Sequence, residues 1–184
     1  MRRCRPLLLL LLGPLCAAAD PDAPPVPCDH PLAQRLAAAA LAAPTAAHDD
    51  GTLYGVQRWQ APTGRSLLGV HFPGLLSCAY TVSAIFQGAC HPIGRLATVR
   101  SVDAALADWR KVTQRDALKP GDVVFWQPSG GSLLGLRCPN DHWHVGILIG
   151  AESTIDNDWW SGLPAAGHIE RPCMRFAYAR RPPD

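Results

Sequence analysis

Two apolar segments, each with a reactive side chain at its start, restrict the fold of this chain more than any other feature. Cys78 lies at the head of an uncharged run from Ser77 to Gln87, which predicts a central helix. His144, 66 positions after the cysteine, opens a β-branched run that ends at Ile149. Between them, a Pro-Gly-Asp turn ends at Asp122 and leads into a predicted buried strand. The order predicts a small α+β fold that brings a thiol and an imidazole together.

The N-terminal segment 1–19 has the pattern of a secretory signal, with three arginines, the apolar run 7–12 and an Ala-x-Ala cleavage site. Its apolar run is too short for a membrane-spanning helix. Three of the 17 basic residues lie in this segment, which leaves 14 against 15 acidic residues. The mature chain therefore carries a net charge of about −1 and no basic stripe, which argues against nucleic acid or a membrane surface as partner. We expect a secreted or periplasmic protein that does not span the membrane.

The cysteine count fits an oxidising compartment. Two of the seven cysteines leave with the signal, and five remain: Cys28, Cys78, Cys90, Cys138 and Cys173. Secreted proteins pair their structural cysteines, so an odd count leaves one thiol unpaired. We predict that Cys78 is this thiol and that the other four form two disulfides, whose connectivity the sequence leaves open. The alternative is that Cys78 is a buried core thiol without chemistry.

The organisation of the mature chain predicts a flexible lead-in at 20–30 followed by one domain at 31–184, large enough for a hydrophobic core. The helix-like patterns come first and most of the strand-like patterns follow, which predicts α+β architecture with an antiparallel sheet. The predicted helices are 31–43, 77–87 and 102–107. The predicted strands are 109–112, 123–126, 144–149, 154–156 and 175–178. Short elements around Tyr54 and Trp59 are also expected.

The chemistry expected of this pair is nucleophilic. A cysteine in the first turn of a helix lies where unpaired N–H groups favour the thiolate and can hold an oxyanion. In a hairpin whose turn centres on Gly150, His144 faces Asp156, and a turn centred half a residue later makes it face Asn157. Either side chain could orient the imidazole as the third member of a triad, and His168 is a further candidate.

These segments, in this order, resemble the NlpC-type family of papain-like cell-wall cysteine peptidases. The resemblance covers 75–160, about half of the mature chain. It includes the helix-starting cysteine, the Leu-x-Pro-Gly-Asp strand entry, the His-Val-Gly-Ile strand and a polar residue twelve positions after the histidine. It implies a papain-like fold, in which a helix with nucleophile Cys78 packs on an antiparallel sheet with base His144, oriented by Asp156.

The chain also departs from the family pattern. The family usually has Asp-Cys-Ser-Gly around its nucleophile, where this chain has Ser-Cys-Ala-Tyr, and a histidine or amide in the third position, where it has Asp156. The related CHAP family shares the order of the segments, but its third residue usually lies further along the chain.

The resemblance implies a monomeric cysteine hydrolase that cleaves amide bonds in the peptide part of bacterial peptidoglycan and needs no cofactor or metal. Two alternatives stay open. One is a non-enzymatic, disulfide-stapled secreted binding module on the same fold. The other is a zinc site built from Cys138, His142 and His144 with Asp141 or Asp156, although this spacing matches no common structural zinc pattern.

Overall fold

An antiparallel sheet of six strands forms the centre of the structure, a computed structural model. Its strands lie in the order Arg110–Val112, Met174–Arg181, Val123–Pro128, His144–Leu148, Ser153–Asn157 and Pro164–His168, and each adjacent pair is antiparallel. Three α-helices accompany it in the described part of the chain. The predictions of α+β architecture and an antiparallel sheet are therefore confirmed. The structure describes residues 26–48, 65–67, 70–72, 77–130, 132–133, 136–137, 142–158 and 160–184.

The helices are α1 (Leu32–His48), α2 (Cys78–Gly88) and α3 (Val99–Ala105), and a 3-10 turn spans Arg115–Ala117. The six strands of the central sheet are β3 (Arg110–Val112), β4 (Val123–Pro128), β7 (His144–Leu148), β8 (Ser153–Asn157), β9 (Pro164–His168) and β10 (Met174–Arg181). Two separate hairpins pair β1 (Arg65–Leu67) with β2 (Val70–Phe72) and β5 (Ser132–Leu133) with β6 (Leu136–Arg137).

The central helix α2 is buried around most of its circumference. Every residue from Cys78 to Phe86 is buried, as the absence of charge in this run predicts. It packs on β7 and β8 and on α1, and its Ile85 and Phe86 are fully inaccessible. Burial of one such side chain contributes about 1.5–3 kcal/mol. The helix that carries Cys78 is therefore fixed to the sheet along its length.

The first helix runs further than the sequence predicts. The predicted helix 31–43 ends just before Pro44, but α1 continues to His48 and includes the proline. A proline inside a helix costs about 3 kcal/mol, because it removes one hydrogen bond and crowds the preceding turn. The apolar stripe continues beyond it, and burial of the residues on this face offsets the cost: Leu36, Ala40, Ala43 and Ala47.

The Pro-Gly-Asp segment has a structural role. Gly121 has φ +90°, and a Cβ atom at this position would overlap the backbone of Ala33 in α1. Only glycine combines that backbone conformation with so close an approach. The buried Asp122 accepts two hydrogen bonds from Arg181, at 2.8 and 2.6 Å, and one from the backbone N–H of Lys119. The turn thereby joins α1 to the last strand.

A β-bulge in β10 places Tyr178 on the same face of the sheet as α2. Phe176 pairs with Trp126 and Tyr178 pairs with Phe125, so the register shifts by one residue at Ala177. Residues two apart normally share a face of a strand, but Phe176 packs in the cluster of Trp126 on one face and Tyr178 packs in the cluster around α2 on the other. Bulges of this kind re-aim a side chain next to a site.

Several predicted boundaries differ from the structure. Helix α3 begins at Val99 rather than Val102, because the Thr98 hydroxyl accepts a hydrogen bond from the Ser101 N–H and caps it. Strand β9 was not predicted, since its sequence Pro-Ala-Ala-Gly-His has neither alternation nor β-branched residues. The predicted elements around Tyr54 and Trp59 and the signal 1–19 lie outside the described residues. No helix in the described ranges combines the length and hydropathy of a bilayer span.

The cysteines of the described ranges follow the predicted pattern. Cys28 and Cys90 form a disulfide across 62 positions, which ties the segment before α1 to the end of α2. Cys173 is also disulfide-bonded, and Cys78 is a free thiol. Cys138 lies outside the described residues.

Candidate active site

Cys78 is the first residue of α2 and is 4% exposed. The prediction that it lies in the first helical turn is confirmed. Ser77 occupies the N-cap position, but its side chain makes no capping hydrogen bond. The first N–H groups of a helix have no partner within the helix and carry partial positive charge. Cys78 therefore lies where a thiolate is stabilised and where a backbone donor can meet a developing oxyanion.

His144 is the first residue of β7 and lies opposite Trp126 of β4. The two rings are 5.6 Å apart and tilted by 45°. The Nε2 atom of the imidazole lies 3.0 Å from Oδ1 of Asp156. The predicted contact between His144 and Asp156, rather than Asn157 or His168, is therefore present.

The predicted hairpin register is wrong, although the contact is right. Ile147 pairs with Ile155 and Leu148 with Thr154, so the turn centres on Ala151 rather than Gly150. Continuation of this register places Asp156 opposite Gly146, and the carboxylate reaches His144 diagonally. A Cβ atom at Gly146 would lie 2.9 Å from the Cβ of Asp156. The absence of a side chain at that position thus leaves room for the aspartate.

Asp156 is buried and fully engaged. Oδ1 meets the imidazole, while Oδ2 accepts a hydrogen bond from the Thr154 hydroxyl at 3.2 Å and forms an ion pair with Arg171. The guanidinium of Arg171 also lies 4.6 Å from the ring centre of Trp126. A buried carboxylate is costly unless it is paired and hydrogen-bonded, and Asp156 has partners on both oxygens.

The electrostatic interactions at this site favour the ionised forms of both His144 and Asp156. Burial alone would lower the pKa of His144, but the negative charge of Cys78 and hydrogen bonds to Asp156 and Cys78 outweigh it and raise the pKa to about 9. Burial alone would raise the pKa of Asp156, but the hydrogen bond and charge of His144, together with Arg171, hold it below its usual value. At neutral pH the imidazole is therefore protonated, and the Asp156 carboxylate beside it is ionised.

A cavity of about 500 Å³ opens beside the thiol. Cys78 contributes to its lining, one wall comes from the segment 97–100 with Asp103, and Trp143 and Tyr178 form the aromatic side. Trp143 is 41% exposed, and its ring lies 6.1 Å from that of Tyr178. A cavity of this size takes a small molecule or a few residues of a peptide.

The aromatic wall is held by a polar cluster. Burial and the Asp103 carboxylate, which also accepts a hydrogen bond from the phenol, raise the pKa of Tyr178 to about 12. The same carboxylate accepts a hydrogen bond from Arg180 at 2.8 Å. Phe125 stacks on Tyr178 at 4.9 Å, and the ammonium of Lys111 lies 4.0 Å from its ring centre. The phenol therefore stays neutral and its ring stays fixed beside Cys78.

The opposite wall is attached directly to α2. The Ser83 hydroxyl accepts a hydrogen bond from the Leu96 N–H at 3.1 Å, and the Tyr80 hydroxyl accepts one from Arg95 at 3.0 Å. Tyr80 lies two positions after the cysteine, where the resembled family has glycine. In this chain its side chain anchors the segment that leads into the cavity wall.

The structure brings together Cys78, His144 and Asp156 and keeps the other candidates apart. Asn157 follows Asp156 in β8 and so points to the other face of the sheet. The Nε2 atom of His168 lies 3.1 Å from Glu152 at the surface. Cys138, which the zinc alternative requires, and Asp141, one of its two candidate fourth ligands, lie outside the described residues. Within those residues, no group of three or more His, Cys, Asp or Glu side chains has an arrangement that could hold a metal ion.

Three residues of the site were not predicted from the sequence: Trp143, Arg171 and Tyr178. Trp143 had a signal, since it separates the two histidines of a His-Trp-His segment. Tyr178 depends on a bulge and Arg171 on an irregular segment, and neither leaves a local pattern.

The comparisons with known proteins add no relative. We find no protein-family model, no curated protein and no solved structure that matches this chain.

Proposed function

We propose that this chain is a secreted cysteine hydrolase with a papain-like arrangement of NlpC type, which cleaves amide bonds in the peptide part of bacterial peptidoglycan. The observation that carries the proposal is the line of three groups from Cys78 through His144 to Asp156, which begins at a helix N-terminus beside an open cavity. A thiol, an imidazole and an orienting carboxylate in this order are the parts of nucleophilic acyl transfer.

The reaction follows from the protonation of these groups. The Cys78 thiolate attacks the amide carbonyl, an S–C bond forms, and the carbonyl electron pair moves to the oxygen, which the Cys78 N–H stabilises. His144 then gives its proton to the leaving amine as the C–N bond breaks. Its other ring nitrogen, Nε2, stays on Asp156 and keeps the ring oriented. A water molecule, deprotonated by His144, hydrolyses the thioester and restores the thiolate.

The cavity supports a substrate of moderate size with apolar and polar parts. The exposed indole of Trp143 and the ring of Tyr178 offer contact area to aliphatic or sugar groups. Arg100 and Asp103 line the same cavity and offer charge to a substrate that carries amines and carboxylates. Peptidoglycan peptides have both features, and the resemblance to NlpC-type enzymes names the same substrate class.

The proposed location is outside the cytoplasm. The predicted signal supports it, and so do the Cys28–Cys90 disulfide and the bonded Cys173, because disulfides persist in oxidising compartments. We propose that the mature chain acts there as a monomer without a cofactor.

Digestion of purified sacculi tests this function. The mature protein is incubated with sacculi from bacteria of different peptide-bridge chemistry, and soluble products are identified by mass. The expected result is the release of fragments with a new carboxyl and a new amino end, which does not occur with Cys78→Ala. Products that persist with Cys78→Ala would refute a thiol mechanism. The absence of products from every sacculus would favour the binding module instead, and co-sedimentation of the protein with sacculi would then identify it.

A further inference from the structure

Arg171 lies on the side of Asp156 that faces away from His144. It follows β9 and pairs with Met174 in an isolated bridge. Its side chain is 19% exposed, and its Nη2 atom donates hydrogen bonds to Oδ2 of Asp156 and, at 3.1 Å, to the hydroxyl of Thr154. The proposed reaction of Cys78, His144 and Asp156 uses no fourth side chain, so the role of this partly buried guanidinium is a separate question.

We propose that Arg171 is a positioning residue of the hydrolase. By holding Oδ2 of Asp156, it keeps Oδ1 on the imidazole of His144. This inference rests on the function proposed above, because it concerns the orientation of the same imidazole.

The two oxygens of Asp156 have separate tasks. Oδ1 accepts from the imidazole, whereas Oδ2 accepts from Arg171 and Thr154. Without Arg171, Oδ2 would be a buried anionic oxygen with one weak neutral donor. A carboxylate in that position either turns toward other donors or takes up a proton, since an unpaired buried charge is costly. Both outcomes weaken the bond between Oδ1 and the imidazole.

Trp126 fixes the positions of both partners of Asp156. The ring of Trp126 is 5.6 Å from the ring of His144 and 4.6 Å from the guanidinium carbon of Arg171. The indole N–H donates a 2.7 Å hydrogen bond to the carbonyl of Ile169, two residues before Arg171. The indole therefore fixes the imidazole of His144 and the segment that carries Arg171 relative to each other.

Gly167 keeps the path between Arg171 and Asp156 open. A Cβ atom at this position would lie 2.9 Å from Oδ2 of Asp156 and 3.1 Å from the hydroxyl of Thr154, and it would overlap the guanidinium. Gly167 lies opposite Thr154 in the pairing of β8 with β9. The absence of a side chain there is thus a requirement of the ion pair.

The direction in which the pKa of His144 changes distinguishes a positioning role of Arg171 from the simple proximity of its charge. The imidazole of His144 and the carboxylate of Asp156 act on each other, and two further charged groups act on them: Cys78 from α2 and Arg171 from the segment after β9. Strand β4 contributes the uncharged Trp126. Removal of a cation that is only nearby would raise the pKa of His144. Removal of a cation that holds Asp156 in place would lower it, because the imidazolium loses its carboxylate.

The test is an NMR titration of the His144 ring in Arg171→Met. We expect its pKa to fall by about one pH unit, the size of a lost close charge partner. In the Asp156→Asn background the same substitution should cause no fall, and Arg171→Lys should retain most of the wild-type value because it keeps a cation on Oδ2. A rise or an unchanged pKa in Arg171→Met, or an equal fall in both backgrounds, would overturn the proposal.

Arg115→Met is the matched control. Arg115 also bridges carboxylates, Glu152 at 3.0 Å and Glu170 at 2.6 Å, but lies on the surface away from the imidazole. Arg115→Met should leave the pKa of His144 unchanged. If Arg171→Met does not fold, Gly167→Ala tests the same ion pair by displacement and should lower the pKa in the same direction. The titration needs no substrate, so a failure of positioning is distinguishable from a failure of the sacculus digestion.

Discussion

Substitution of Asp156 by asparagine should move the alkaline limit of activity toward neutral pH. The pKa of His144 is raised from 6.5 to about 9, and Asp156 contributes to this rise through a hydrogen bond and through its charge. A raised pKa means that the imidazolium is stabilised up to pH 9 and is lost above it. Asparagine keeps an oxygen for the 3.0 Å contact with Nε2 but removes the negative charge.

The magnitude follows from the loss of one close opposite charge, which lowers the pKa by about one pH unit, or about 1.4 kcal/mol of imidazolium stabilisation. At pH 9 the imidazolium fraction would fall from about one half to about one tenth, which predicts about a fivefold lower kcat/KM from titration alone. At lower pH the ratio of wild-type to Asp156→Asn kcat/KM should be smaller.

The assay is the pH profile of kcat/KM on the soluble fragment that the digestion experiment identifies, for the wild type and for Asp156→Asn. Asp158→Asn is the matched control, because Asp158 lies two positions further and accepts a hydrogen bond from the Ser161 N–H without contact to the imidazole. An alkaline limb that is the same in wild type and Asp156→Asn would refute the role of Asp156 as support of the imidazolium.

Three further outcomes follow from the structure. Removal of the Cys28–Cys90 disulfide, which spans 62 positions, by Cys28→Ser and Cys90→Ser should lower the free energy of unfolding by about 2–4 kcal/mol, measured in urea against the oxidised protein. An unchanged unfolding midpoint would contradict this prediction. Asp122→Ala should cost about 3–5 kcal/mol, because it leaves the guanidinium of Arg181 without its carboxylate, and a cost below about 1 kcal/mol would show that the Pro-Gly-Asp turn does not anchor the last strand. Gly146→Ala should abolish sacculus digestion while the far-ultraviolet spectrum stays native, since its methyl group would displace the carboxylate of the triad; full activity would contradict this geometry.

The sequence predicts the parts of this site that depend on local pattern. An uncharged apolar run predicts α2, and β-branched runs predict β4, β7 and β8. The helix that carries Cys78 and the strand that carries His144 can therefore be predicted from the sequence. The predicted link to Asp156 succeeded for a partly wrong reason. The contact is diagonal: Asp156 lies opposite Gly146, in a register two residues away from the one that places the two side chains face to face.

The remaining features depend on tertiary structure. The extension of α1 through Pro44 is decided by burial of a stripe whose partner surface is not visible in the local sequence. The bulge at Ala177, which turns Tyr178 toward the cavity, leaves no turn signal inside a β-rich run. Arg171 reaches Asp156 from an irregular segment 15 positions away. Patterns of two or 3.6 residues carry no information about such contacts.

The most direct measurement of the central claim is the rate at which iodoacetamide alkylates Cys78 near pH 6, followed by peptide mass in the wild type and in His144→Ala. Free cysteine, with a pKa of about 8.5, is almost entirely protonated at this pH and reacts slowly. A thiolate paired with a protonated His144 should react at least about tenfold faster than free cysteine and lose this advantage in His144→Ala. A wild-type rate no faster than that of free cysteine, or one that is equal in the two proteins, would contradict the claim that these residues form a nucleophilic pair.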